Sequence, residues 1–123
     1  MKIIALTTCH NRKELTLRAL QSLHYQILPD NCELEICLVD DGSTDGTSEA
    51  VNASYPEVKV LRGTGYLYWA GGMRFGWENY VKHQSFDALL AFNDDILLFT
   101  NAVAELVNIS YNVDKEYGPM HSI

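Results

Sequence analysis

A chain of 123 residues, 47% hydrophobic and 20% charged, has the size and make-up of one globular domain with one core. Nine basic against 16 acidic residues give a net charge of −7 with no Lys/Arg cluster, which argues against nucleic acid and anionic membrane surfaces as partners. Cys9, Cys32 and Cys37 show neither CxxC spacing nor a zinc-finger His and read as free thiols, and the apolar run of MKIIALTTCHNR is too short for a signal sequence or membrane span; cytoplasmic residence is the default expectation.

Strand and helix patterns alternate along the chain. Residues 2–8, KIIALTT, form a continuous β-branched and apolar run, the mark of a strand covered on both faces. After the polar loop Cys9-His10-Asn11, apolar residues at Leu15, Ala19, Leu20, Leu23 and Ile27 predict a helix from Arg12 that ends before Pro29. LEICLV (34–39) is a second strand, DGSTDGT its exit turn, and 47–55 a short helix that Asp45 can cap. VKVLR (58–62) is a third strand, GTGYLYWAGG a loop and helix start, and 73–83 a helix. DALLAF (87–92) is a fourth strand, and Thr100 or Asn101 opens a last helix. Strands separated by helices, with no hairpin dipeptide between them, predict an α/β fold with a mainly parallel sheet and right-handed crossovers.

Two acidic doublets close strands in this pattern: Asp40-Asp41 after LEICLV and Asp94-Asp95 after DALLAFN. In an open parallel sheet the carboxyl ends of the strands line the ligand crevice, so both doublets would face one cleft. Clustered carboxylates repel one another and cost desolvation unless a cation or hydrogen-bond donors compensate them. A metal-assisted nucleotide site meets both needs.

TTCHNR after the first strand, VDDGSTDGT after the second, GYLYWAGGMRFGWE and FNDDI after the fourth together resemble the family 2 glycosyltransferases of the GT-A fold. The resemblance runs from about residue 3 to about 110, and the Tyr-Trp-Gly-Gly stretch looks most like bacterial members that move rhamnose or related sugars onto cell-surface polysaccharides. It implies a Rossmann-like GT-A domain, the nucleotide-sugar-binding portion of an inverting transferase. The implied partners are a nucleoside diphosphate-sugar and a carbohydrate or lipid-linked acceptor, and the enzyme could sit peripherally at the inner membrane face.

Carried over position by position, the resemblance implies backbone contacts from Thr8, stacking of His10 on the base, and a hydrogen bond from the base imide to Asp41, with Asp40 ordering the turn. The NDD stretch corresponds to the family's DXD-type motif, which implies Asp95 as ligand of Mg²⁺ or Mn²⁺ and Asp94 near the ribose or sugar. A hard dication takes one or two carboxylates and completes its shell with phosphate and water. Asn93 departs from the family's usual acid or small polar residue but still offers an amide oxygen. Arg74, on the glycine-rich segment, is the only cation expected near the cleft and would reach a diphosphate, unless it is a solvated helix residue. Gly72 and Gly76 would share one helical face and admit close backbone approach. Tyr66, Tyr68 and Trp69 are either a sugar-facing wall or core packing.

Other motifs fail on inspection. Asp41–Gly46 starts like an EF-hand loop, but its twelfth position is Asn52. Gly63-Thr64-Gly65 starts like a dinucleotide fingerprint, but Tyr68 stands at the third glycine. A receiver domain needs acids ending its first strand, where Thr7-Thr8 stand here.

With strand order 3-2-1-4, DALLAF would have a neighbour on one side only, an uncovered edge that invites a second copy or aggregation. The stretch from Gly118 to Ile123 reads as entry to a further strand cut short. Asp114 and Glu116 read as solvated loop acids, so no catalytic base is expected within the chain. The alternative functions are a non-catalytic nucleotide-binding module and a self-associating fragment.

Overall fold

The computed structural model describes the backbone of residues 1–117 and the side chains of residues 1–109. The expected strand at 118–123 therefore lies outside the described residues, whereas the backbone at Asp114 and Glu116 is helical rather than looped. Four parallel strands, β1 (Lys2–Cys9), β2 (Glu33–Asp40), β3 (Lys59–Arg62) and β4 (Ala88–Ala91), lie in the order β3-β2-β1-β4. Helices α1 (Lys13–His24), α2 (Thr47–Ser54), α3 (Tyr68–Asn79) and α4 (Ala102–Tyr117) connect or follow them, with a 3₁₀ turn at Val81–His83.

The continuous apolar character of β1 follows from burial on both faces. Ile3, Ala5 and Cys9 pack with Ala19, Leu20 and Leu23 of α1, Val51 of α2 and Val103 of α4, whereas Ile4 and Leu6 pack with Met73 and Phe75 of α3 and with Val81. Burying each such Leu or Ile contributes about 1.5–3 kcal/mol. On the second face α3 lies unusually close to the sheet: a Cβ at Gly72 would overlap the Thr8 side chain, and one at Gly76 would stand 2.6 Å from Leu6 Cδ1. The expected close approach of these glycines is thus to the sheet.

Several boundaries differ from the sequence pattern. Helix α1 ends at His24, leaving Ile27 exposed, because the chain is drawn toward α4: Ile27 N–H donates to the Thr100 carbonyl at 2.7 Å, and the Gln26 amide oxygen accepts Val103 N–H at 2.9 Å. Leu15 is also exposed, and Thr16 takes the buried position instead. Helix α3 starts at Tyr68 and breaks at Tyr80, whose hydroxyl donates to Glu35 on β2 while Val81 is fully buried. Strand β4 pairs with β1 alone among the described residues, the one-sided position expected for DALLAF.

Candidate functional site

The chain steps outward from β1 to β2 to β3 and then returns to the far side of β1 with β4, so the topological switch point lies beside the end of β1. The carboxyl ends of β1, β2 and β4 and the starts of α1 and α3 meet there.

In the first doublet every carboxylate oxygen has at least one donor from the fold. Asp40 has no exposed surface; its carboxylate accepts Ser43 N–H at 3.1 Å, the Ser48 hydroxyl at 2.5 Å and the Arg62 guanidinium at 2.7 Å. This is the turn-ordering place expected for it, and it leaves no atom for direct contact with a nucleotide. Asp41, 3% exposed, accepts Gly65 N–H at 2.7 Å on one oxygen and Leu67 N–H at 3.0 Å on the other. Each oxygen keeps a further lone pair. The loop can come this close because residue 42 is glycine: its φ is +69°, and a Cβ there would stand 2.7 Å from Gly65 Cα.

The loop after β1 is laced to the loop after β2. Asn11, at φ 50°, donates its backbone N–H to Ser43 Oγ at 2.9 Å and accepts Thr44 N–H on its side-chain oxygen at 2.7 Å. Asp45 accepts Lys13 N–H at 3.0 Å and Thr47 N–H at 3.2 Å, so it serves the starts of both α1 and α2. His10 lies 2.5 Å through Nδ1 from the Asp41 carbonyl. A carbonyl only accepts, so Nδ1 carries a proton, and Nε2 lies 3.3 Å from the side-chain nitrogen of Asn11.

The second doublet is less well compensated. Thr7 donates its hydroxyl to the Phe92 carbonyl at 2.5 Å, fixing the backbone that leads into Asn93-Asp94-Asp95. Asp94 is 8% exposed, and its only hydrogen-bonding side-chain neighbour among the described residues is Arg12, at a long 3.4 Å. Burial pushes its carboxyl above the ordinary carboxylate range; Arg12 pulls it back in part and the charge of Asp95 adds to the rise. Asp95 is exposed.

Thr8, Cys9, His10, Arg12, Asp41, Tyr68, Trp69 and Asp94 line a hollow of about 270 Å³. The sequence reading missed Arg12 as the cation in this hollow: it closes the loop after the first strand, a position that faces the carboxyl edge in any βα unit. Arg74 is exposed, does not line the hollow and has Glu78 of its own helix as its charged neighbour. Burial, then the charge of Asp40, pushes the Cys9 thiol up to about 12, which makes it an inert wall rather than a nucleophile. Tyr66, Tyr68 and Trp69 are 80%, 78% and 53% exposed, so they are not core; Tyr68 and Trp69 face the hollow and Tyr66 does not. A larger hollow of about 480 Å³ opens at the amino ends of β1 and β2. Among its charged groups Lys2 pairs with Glu35 and His24 lies against Glu57, while Glu33 is exposed at its rim.

Among the described residues no three His, Cys, Asp or Glu side chains converge as a metal cage. The donors on offer are the carboxylates of Asp94 and Asp95, a set that fits a hard dication completing its shell from phosphate and water. The weakly compensated carboxylate of buried Asp94, with one long contact to Arg12, fits it as well.

A parallel α/β sheet with acids and backbone donors gathered at its switch point defines a domain of the nucleotide-binding kind. The sequence pattern of Glycosyl transferase family 2 matches residues 5–112, and the chain belongs to that family. It is 31% identical over 117 residues to an uncharacterized glycosyltransferase of Mycoplasma pneumoniae, the MG060 homolog, covering 93% of this chain and 38% of that protein. The fold is that of Staphylococcus aureus TarS 1–349 in complex with UDP, with a TM-score of 0.74, 21% identity and coverage of 94% of this chain and 32% of that one. It is also similar to the mannosyltransferase PcManGT from Pyrobaculum calidifontis in complex with GDP-Man and Mn²⁺, with a TM-score of 0.69, 22% identity and coverage of 85% and 31%. The chain thus spans about a third of the length of the proteins it matches.

Proposed function

We propose that this chain is the donor-binding portion of an inverting, metal-assisted glycosyltransferase that passes a sugar from a nucleoside diphosphate to a hydroxyl of a carbohydrate or lipid-linked acceptor, in the cytoplasm. The observation that carries the reading is the convergence of Asp41, His10, Arg12 and Asp94 on one hollow at the switch point of the sheet. The names of the fold neighbours, which include UDP, UDP-GlcNAc, GDP-Man and Mn²⁺, support a donor of this class.

Each residue has a distinct task in this reading. Asp41 accepts the imide N–H of the base, an acceptor-only role suited to an ionised carboxylate already aligned by two backbone donors. His10 offers its ring face to the base, and Arg12 reaches the diphosphate. Asp95, with Asp94 behind it, would hold Mg²⁺ or Mn²⁺. When bound, such an ion neutralises charge on the departing diphosphate. Transfer breaks the bond from the sugar's anomeric carbon to the diphosphate, forms one to the acceptor oxygen and sends the acceptor's proton to a base. Among the described residues the lining acids are Asp41 and Asp94, both committed to the donor, so the chain alone should bind donor and turn it over poorly. General-base catalysis supplies about 10²–10⁴-fold.

Calorimetric titration with UDP and GDP, with and without Mn²⁺, tests the reading. Binding that strengthens with the metal is expected. Asp41→Asn should weaken the nucleotide by about 1–3 kcal/mol and spare pyrophosphate. No nucleotide binding under any condition, or brisk sugar transfer by this chain alone, would overturn it.

A further inference from the structure

Tyr68 combines two features that seldom coincide. Its backbone is left-handed, at φ 58°, a conformation that a bulky residue holds only under steric strain. Its side chain is 78% exposed, so packing of that side chain does not repay the strain. Strain kept without a folding benefit points to use. Tyr68 lines the donor hollow from its rim, with most of its surface still open to solvent.

The surroundings say which part of a donor it meets. Of the two residues that grip the Asp41 carboxylate through their N–H groups, Leu67 directly precedes Tyr68 and Gly65 lies three residues before it. Of the two other flat rings of the lining, Trp69 follows Tyr68 on α3, and His10 is bonded to the carbonyl of the same Asp41. Tyr68 and His10 are therefore both held next to the one acid placed to read a base edge. Arg12 and Asp94, the groups suited to phosphate and cation, pair with each other instead.

We propose that Tyr68 is a second base-stacking residue: the strained start of α3 presents its ring to the nucleobase that Asp41 holds by its edge. This rests on the donor-binding reading above. A neutral aromatic face suits a base, whose π-surface stacks regardless of its edge groups, and gives the site affinity for the nucleoside that is separate from its affinity for the diphosphate.

The left-handed backbone supplies a test that separates binding from folding. Glycine adopts this conformation without strain, so Tyr68→Gly should unfold at the wild-type temperature or above it. The same variant should bind UDP and GDP roughly ten- to a hundred-fold more weakly, the loss of one base-aromatic stack. Pyrophosphate binding should not change, and Tyr68→Phe should retain nucleotide affinity within about twofold, since the ring face is what is used. Wild-type protein that binds nucleotide while Tyr68→Gly binds it equally well would overturn this proposal and leave the donor-binding reading standing. A lowered unfolding temperature in Tyr68→Gly would also overturn it, because it would make the residue a packing element. Equal losses for pyrophosphate and nucleotide would do the same. Wild-type protein that binds neither nucleotide would remove both readings together.

Discussion

The two acidic doublets sit at equivalent places, each at the carboxyl end of a parallel strand, yet their surroundings are opposite. Asp40 and Asp41 are buried at 0% and 3% exposure and between them accept three backbone N–H groups, a hydroxyl and a guanidinium. Asp94 is nearly as buried but has one long contact to Arg12, and Asp95 stands in solvent. One doublet is finished by the fold itself. The other has its charge concentrated and its compensation left open, the condition in which a carboxylate gains most from an incoming cation.

That contrast ranks the four carboxylates by what their removal does to the fold. The largest effect belongs to Asp40→Ala, which strands the buried Ser43 N–H, the Ser48 hydroxyl and one side of Arg62. Breaking a buried pair costs about 3–5 kcal/mol; because Arg62 is half exposed and can turn to water, about 3 kcal/mol is expected in urea unfolding. A loss under about 1 kcal/mol would show that the first doublet is not the fixed one. Asp41→Ala comes next, at about 1–2 kcal/mol, since water can reach the half-buried amides of Gly65 and Leu67 once the carboxylate is gone.

Asp94→Asn should act in the opposite direction and stabilise. Burial raises its folded-state carboxyl above the ordinary value, so ionisation costs stability at neutral pH and costs nothing once both states are protonated. A gain at pH 7 is expected, shrinking as pH falls through the raised folded-state value and gone below about 4, where the unfolded carboxyl is protonated too. Thermal unfolding across pH checks it; a destabilised variant at pH 7 would mean that the Arg12 contact already satisfies the second doublet. The smallest effect on the fold is that of Asp95→Ala, within about 0.5 kcal/mol for an exposed residue. In the same variant the Mn²⁺-dependent part of nucleotide binding should disappear. Metal-dependent binding that survives the change would move the ion elsewhere.

The contrast also marks what can be read from the sequence. That both doublets end strands is visible in LEICLVDD and DALLAFNDD, because covered parallel strands carry unbroken apolar runs. The order 3-2-1-4 follows from the resemblance to a known fold. The division of labour between Asp40 and Asp41 follows from the resemblance, but the partners that bury Asp40 are not visible, because they come from Ser48, eight residues on, and from Arg62 on the neighbouring strand. Arg12 is hidden in the same way: its charge is in plain view, but its distance to Asp94 exists only after β4 returns beside β1. Arg74 drew attention through its glycine-rich setting, and those glycines answer to Thr8 and Leu6 of the sheet. The end of α3 at Tyr80 was equally out of reach, since no Gly or Pro marks it and its cause is Glu35, on β2.

The lacing of the loop after β1 to the loop after β2 gives the hollow a stiff jaw. His10, Asn11 and Lys13 are each bonded to a residue between Asp41 and Asp45, so neither loop can swing without carrying the other. Whatever opening a donor needs in order to enter or leave falls to the turn that carries Asp95, joined to this jaw by the long contact of Asp94 with Arg12, since the start of α3 is itself held to Asp41 by Gly65 and Leu67. In amide hydrogen exchange the N–H groups of Asn11, Lys13 and Thr44 should open as one slow unit, while the amides from Asn93 to Leu97 exchange faster and slow down only when nucleotide and metal are both present.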